Sequence, residues 1–202
     1  FSYPITKEIS GILKKVALDQ VLVKEEIKKL LAVEKEGDKK ALFLAADLMR
    51  EECVGSTVDI RGAIEFSNYC IRSCNYCGLR KENSKLGRYR MSIDEIMEVV
   101  DDIHQLGIKT VILQSGEDLT YSTEEIEQLI RKIKDEYQMR ITLSLGERSY
   151  EDYKRFKEAG ANNYLLKIEA VNQDKFYQAH PDGDWAKRTK HTRWLKELGY
   201  IV

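Results

Sequence analysis

Three thiols crowd into one short stretch of this 202-residue sequence: Cys70, Cys74 and Cys77, spaced C-x3-C-x2-C. They sit too close together to pair as disulfides without stranding one, and in a non-secreted chain such crowding reads as metal ligation or redox chemistry. Three thiolates on one loop can take three corners of a cubic 4Fe–4S cluster. The fourth iron then has no protein ligand and is open to substrate chemistry, whereas clusters that only carry electrons normally have four cysteines. The fourth cysteine, Cys53, closes a helical stretch ahead of the first strand and reads as a small buried hydrophobe. It is expected at the opposite end of a barrel. A zinc site is the other reading of the motif, but zinc prefers four ligands in paired spacing, often with histidine. No second cysteine pair exists, and the next histidine, His104, lies deep in a later helical segment. His104, His180 and His191 read as surface or packing histidines.

The elements that must position the thiols follow from periodicity. Between Thr6 and Glu52, apolar residues recur at three and four spacing: Ile9, Ile12, Leu13 and Val16, then Ile27, Leu30 and Leu31, then Leu42, Ala45, Ala46 and Met49. Gly37 and Asp38 are expected to separate the last two helices, and Gly55 to end the third. After Gly55 the chain alternates. Strands are predicted over Val58–Phe66, Lys109–Gln114, Arg140–Leu145 and Asn163–Ile168. Helices are predicted over Ser92–Gln105, Ser122–Glu136, Ser149–Ala159 and Trp185–Leu198, with a fifth strand beginning after Gly199. Ser92 with Glu95, and Ser122 with Glu125, have capping-box spacing. Gly107, Gly160 and Gly199 each stand where a left-handed turn would send a helix back into a parallel strand.

This alternation predicts right-handed βαβ units. The fold class is therefore α/β, an incomplete (β/α)8 TIM-barrel-type core of about four βα units and the start of a fifth. Residues 56–202 would form it, behind an N-terminal helical extension of residues 1–55. A doubly wound sheet is the alternative, since repetition alone does not separate the two. In either, reactive groups gather at the carboxyl ends of the strands. The cysteines follow the first strand, Ser115-Gly116-Glu117 the second, Gly146-Glu147 the third, and Glu169 closes the fourth.

Composition narrows the class of protein. With 43% hydrophobic and 33% charged residues, the chain is neither collagen-like, nor a disulfide scaffold, nor disordered. Lysine plus arginine number 33 against 34 acidic residues, so no net field draws nucleic acid or anionic lipid. The longest apolar run, Ala41 to Ala46, is far too short to cross a bilayer, and no signal peptide is evident. A cytoplasmic protein with neither a nucleic-acid nor a membrane partner is expected. The start at Phe1 without methionine, and the stop within an opening strand at Ile201–Val202, read as a partial sequence.

The motif Cys70-Ile-Arg-Ser-Cys74-Asn-Tyr-Cys77, with aromatic Tyr76 before its last cysteine, resembles the signature of the radical S-adenosylmethionine (SAM) superfamily. Further stretches are similar to one branch of it, the HydE family of FeFe-hydrogenase maturation proteins. They are Ile64-Glu-Phe-Ser-Asn-Tyr-Cys70, Cys77-Gly-Leu-Arg80, Arg88-Tyr-Arg90-Met91, Leu113-Gln-Ser-Gly-Glu-Asp118, Leu143-Ser-Leu-Gly-Glu-Arg148 and Leu195-Lys-Glu-Leu-Gly-Tyr200. Methylornithine synthase and biotin synthase are near relatives in the same branch. The Cys77 loop and the Ser115–Asp118 stretch favour the maturase over methylornithine synthase.

The resemblance implies a 4Fe–4S cluster on Cys70, Cys74 and Cys77, and SAM bound at its open iron. Tyr76 would lie beside the adenine, and Ser115, Gly116 and Glu117 would receive the SAM amino group. Glu169 and Arg188 would hold the methionine moiety: a carboxylate suits an ammonium, and a guanidinium grips a carboxylate in bidentate fashion. Thr142 and Lys167 match substrate positions, with lysine standing where arginine is expected. Arg80, Arg88 and Arg90 suit either bracing of the cysteine loop or contact with a ligand, and Glu147 is undecided. The implied partners are a small-molecule or iron-bound sulfur-containing substrate, a one-electron donor and other hydrogenase maturation proteins. A non-catalytic cluster- or zinc-binding module is the competing class.

Overall fold

Residues 4–201 are described by a computed structural model, in which the chain divides between Asp59 and Ile60 into two units. The first holds three helices: α1 (Lys7–Ala17), α2 (Lys24–Leu31) and α3 (Glu36–Val54). Thr6 caps α1, and Ile9 and Ile12 are its buried face. Gly37 and Asp38 do not separate α2 from α3 as expected. Both lie in the first turn of α3, where the buried Asp38 carboxylate accepts the Thr6 N–H at 2.8 Å. The break falls instead between Ala32 and Lys35. Gly55 ends α3 with φ 77°, as anticipated. Cys53 is exposed, contrary to the buried reading. The buried residues of α3 all lie near its start, and at its far end the Cys53 thiol meets the Met49 sulfur at 3.5 Å.

The second unit is built on β1 (Gly62–Ser67), β2 (Thr110–Ser115), β3 (Arg140–Ser144) and β4 (Asn163–Tyr164), all parallel and in the order β1-β2-β3-β4. Between them run α4 (Ile93–Gln105), α5 (Thr123–Tyr137) and α6 (Tyr150–Ala159), and after β4 come α7 (Gln173–Ala179) and α8 (Trp185–Glu197). Ser92, Ser122 and Ser149 each close a capping box at the start of α4, α5 and α6. Gly107, Gly160 and Gly199 turn the chain at positive φ (77°, 116° and 77°), supplying the left-handed residue that lets each helix reverse toward the sheet. α5 ends on Gln138 at φ 54° without a glycine.

Strand pleating sorts the residues. Val111, Leu113, Ile141 and Leu143 are fully buried with Ile96 and Val100 of α4, Leu129, Ile130 and Ile133 of α5 and Phe156 of α6. Alternate positions, Gln114, Thr142 and Ser144 among them, belong to the opposite face. Helices packed on one face, and strands in sequential order, describe an arc of a TIM-barrel-type core. A doubly wound sheet would reverse its strand order and carry helices on both faces.

Two expected strand boundaries move by several residues, and one helix is new. β1 begins at Gly62, and the preceding Val58 and Ile60 are exposed. β4 has two residues where six were expected: beyond Leu165, whose N–H reaches Leu143 O, the chain leaves the ladder and Lys167 O is taken by the Arg188 guanidinium at 2.7 Å. Helix α7, capped by Asn172, was not anticipated. Ile201 bridges Asn163 in parallel, as the expected fifth strand would, while Val202 lies outside the described residues, as do Phe1 to Tyr3 of the expected 1–55 extension. Among the described residues no helix is long and apolar enough to cross a membrane.

Candidate functional site

At the carboxyl ends of β1–β4 lies an open cleft of about 250 Å3. Cys70, Cys74, Cys77 and Tyr76 line it on one side, Ser115, Gly116 and Glu117 at the end of β2, and Lys167, Glu169, His180 and Arg188 beyond β4. Residues spread over 119 positions of sequence, from Cys70 to Arg188, thus meet at one place. Thr142 lies outside the lining: it is buried in β3, one pleat below Ser144, which does line the cleft.

The cysteine loop is held by backbone and by arginine. Arg72 N–H and Glu117 N–H point at Cys70 Sγ (3.4 and 3.3 Å), and Leu79 N–H at Cys77 Sγ (3.4 Å). Arg88 braces the loop by donating to the carbonyls of Asn68, Leu79 (3.0 Å) and Arg80 (2.8 Å). Arg90 instead grips Asp118 (2.6 Å) and stacks over the Tyr69 ring at 3.6 Å. Asp182 receives the Ser73 N–H at 3.1 Å, pinning the loop after α7 to the cysteine loop.

Gly116 shows why the end of β2 can come so close. A Cβ there would stand 2.1 Å from Tyr69 O and 2.7 Å from Cys70 Cβ, so only glycine fits. Glu117 beside it accepts Arg72 Nη2 on Oε1 (2.7 Å) and the Glu147 N–H on Oε2 (3.2 Å). Glu169 sits at φ 63°, an uncommon left-handed conformation for a residue with a side chain, and such outliers cluster at functional sites.

Burial and neighbouring charges shape the acids of the site. Burial, with the neighbouring Cys70 and Cys77 sulfurs, pushes the Cys74 thiol up to about 11. A cationic metal group among the three would reverse that sign, because coordination deprotonates a thiol. Desolvation of the hydroxyl end, then the Glu169 carboxylate, pushes Tyr76 above its ordinary range. For Glu147, burial alone would raise the carboxyl, but the Arg188, Arg72 and Lys187 cations outweigh it and hold it low.

Two residues of the site, His180 and Arg72, were not assigned to it by sequence, and a third, Glu147, was placed at a strand end without a role. His180, read as a packing histidine, puts Nδ1 3.0 Å from Cys74 Sγ and Nε2 3.0 Å from Tyr76 OH. It follows a helix the periodicity did not reveal, so nothing linked it to the thiols. Glu147, left undecided, is buried between Arg188 Nε (2.8 Å) and Arg72 Nη2 (3.2 Å). Arg72 itself lies inside the cysteine motif, and its place between two cysteines was the available signal.

The donor set suits a group larger than one ion. Among the described residues no three histidine, cysteine or acidic side chains converge tightly enough for a single metal ion, whereas three thiols line one cleft beside backbone N–H donors. An iron–sulfur cluster fits that set.

Residues 64–202 match the model of the radical SAM superfamily, and the chain belongs to that family. Membership implies a 4Fe–4S cluster and SAM as cofactors. The chain is 44% identical over 177 residues to the [FeFe] hydrogenase maturase subunit HydE of Thermotoga maritima, covering 88% of this chain and 51% of that protein. Among solved structures it resembles HydG, a maturase of the [FeFe]-hydrogenase (TM-score 0.87, 26% identity, 97% of this chain and 45% of that one). It also resembles methylornithine synthase, PylB (TM-score 0.82, 26% identity, 94% and 56%). The chain spans about half the length of the curated relatives it matches.

Proposed function

We propose that this chain is part of a HydE-type radical SAM enzyme that serves assembly of the FeFe-hydrogenase active site in the cytoplasm. The observation that carries the reading is the single cleft lined by Cys70, Cys74 and Cys77 together with Glu169 and Arg188. The chemistry that cluster and SAM supply when bound is one-electron reductive cleavage of the sulfonium, giving methionine and a 5′-deoxyadenosyl radical.

In this reading Cys70, Cys74 and Cys77 would hold the cluster, and with no fourth thiol from this loop it would be open to SAM. Gly116 lets the end of β2 approach, so that the Ser115-Gly116-Glu117 backbone receives the amino group. The Glu117 carboxylate, already paired with Arg72, contributes by fixing the loop. Glu169 faces the ammonium, and Arg188 the carboxylate, of the methionine moiety. Tyr76, tethered by His180, flanks the adenine. Lys167, in the cleft lining, serves the substrate, and Thr142, buried below Ser144, supports the floor beneath it. A point-charge ammonium at Lys167 anchors a carboxylate less directionally than a guanidinium fork, which predicts looser substrate anchoring. The substrate class is a sulfur-bearing small or iron-bound molecule, and the partners are a one-electron donor and other maturation proteins.

The test is anaerobic reconstitution of the full-length protein with iron and sulfide, then SAM and dithionite, with 5′-deoxyadenosine measured. The wild type yields it, and Cys74→Ala binds no cluster and yields none. Zinc without iron in the purified protein, or stoichiometric iron in Cys74→Ala, would sink the reading.

A further inference from the structure

Glu147 lies behind the cleft rather than in its lining, bonded to Arg72 and Arg188, which do line it, and neither the cysteine motif nor the proposed SAM contacts include it. Its side chain is 4% exposed. One oxygen accepts Arg188 Nε at 2.8 Å; the other accepts Arg72 Nη2 at 3.2 Å and lies 3.3 Å from Lys187 Nζ and 3.9 Å from His191 Nε2. Its own N–H is anchored on Glu117. It stands next to Gly146, whose φ of 73° and close approach to Glu117 leave no space for a side chain.

The two guanidinium groups come from distant places. Arg72 lies between Cys70 and Cys74 on the loop after β1; Arg188 lies in the first turn of α8 and faces the cleft. Without an anion between them they would repel; Arg72 would keep its bond to Glu117 at 2.7 Å, while Arg188 would be left with the Lys167 carbonyl alone. With Glu147 present, Arg188 is held through Nε and, on its other side, through Nη1 to Lys167 O at 2.7 Å. Among the described residues these are the two hydrogen bonds of its guanidinium, which leaves Nη2 for a ligand. A guanidinium held by two of its nitrogens presents the third in a fixed direction, and the entropy of orienting it is spent before a ligand arrives.

We infer that Glu147 is a positioning residue: by bridging Arg72 on the cysteine loop and Arg188 on α8, it sets the distance between the cluster site and the arm that grips the ligand carboxylate. The inference rests on the reading of Arg188 as the SAM carboxylate contact. It predicts an effect confined to ligands that carry the amino acid. A nucleoside without it never meets Arg188, whereas damage to the fold would weaken both kinds of ligand.

The experiment uses the full-length reconstituted holoenzyme and measures binding of SAM, S-adenosylhomocysteine and methylthioadenosine by equilibrium dialysis, with iron content in parallel. Glu147→Gln is expected to weaken SAM and S-adenosylhomocysteine by roughly ten- to a hundredfold, the effect of losing one charge-assisted buried bond. Methylthioadenosine affinity and iron content stay at the wild-type level. In an Arg188→Gln background the same change adds less than about twofold, because its route is already cut. Glu147→Asp, which keeps the charge and shortens the reach, shows the same selectivity at smaller amplitude. Equal weakening of SAM and methylthioadenosine, full additivity with Arg188→Gln, or SAM binding untouched by Glu147→Gln overturns the inference alone. A wild-type holoenzyme that does not bind SAM overturns it together with the function on which it rests.

Discussion

Glu117 gives its backbone N–H to Cys70 Sγ at 3.3 Å while its carboxylate holds Arg72, two residues further along the same loop, at 2.7 Å. The end of β2 is therefore built against the cysteine loop at two points, and Gly116 is what lets them meet. Gly116→Ala would drive a methyl group into Tyr69 O and Cys70 Cβ. Overpacking of this kind costs about 1–3 kcal/mol, and the loop can relieve it only by moving. Iron bound per chain after reconstitution is expected to fall well below the wild type, with a lower midpoint in urea. Normal iron content would show that the contact is dispensable.

Asp118, the next residue, is a pH-dependent strut. Burial works to raise its carboxyl, but hydrogen bonds from Arg90, Ser67 and Thr120 overcome it and bring it down to about 2. A carboxyl depressed on folding stabilises the protein fully above its ordinary value near 4, and that contribution is lost as pH falls toward 2. Asp118→Ala is expected to cost about 1–3 kcal/mol near neutrality by stranding its donors. The gap from the wild type stays constant between pH 5 and 7 and narrows below pH 4. Urea unfolding across that range checks it; a gap that widens on acidification would contradict the assignment.

His180 ties Tyr76 to the loop that follows α7. His180→Phe keeps the ring stacking on Phe176, with centroids now 5.0 Å apart, and removes the hydrogen bond to the tyrosine hydroxyl. One hydrogen bond of about 1 kcal/mol corresponds to roughly fivefold weaker binding of an adenine nucleoside. Methylthioadenosine titration of the reconstituted protein measures this directly, and unchanged affinity would remove His180 from the site.

The core and the isolated thiol make a contrasting pair. Leu113 is fully buried between β2 and the helix layer, so Leu113→Ala is expected to cost about 2–5 kcal/mol. Cys53 is exposed near the end of α3, so Cys53→Ser should change stability by no more than about 0.5 kcal/mol. It should also leave iron content intact. Iron loss in Cys53→Ser would mean that a fourth thiol holds the cluster.

By itself the sequence determined what is local. Cysteine spacing, serine caps with acids three residues on, and glycines past helix ends depend on neighbours within a few positions, so the βα alternation and the thiol loop were legible. Tertiary structure decided what depends on distant partners. Whether a doubly wound sheet or a barrel arc formed was settled by strand order and by helices gathering on one face, which periodicity does not encode. The last residues expected in β4 left the ladder because the Arg188 guanidinium claims the Lys167 carbonyl. Asp38 became buried in a helix rather than breaking one because Thr6 supplies donors from 32 residues away. The carboxylate of Glu147 and the imidazole of His180 entered the site for the same physical reason: a charge or ring is assigned by what it faces, and what it faces lies on another element.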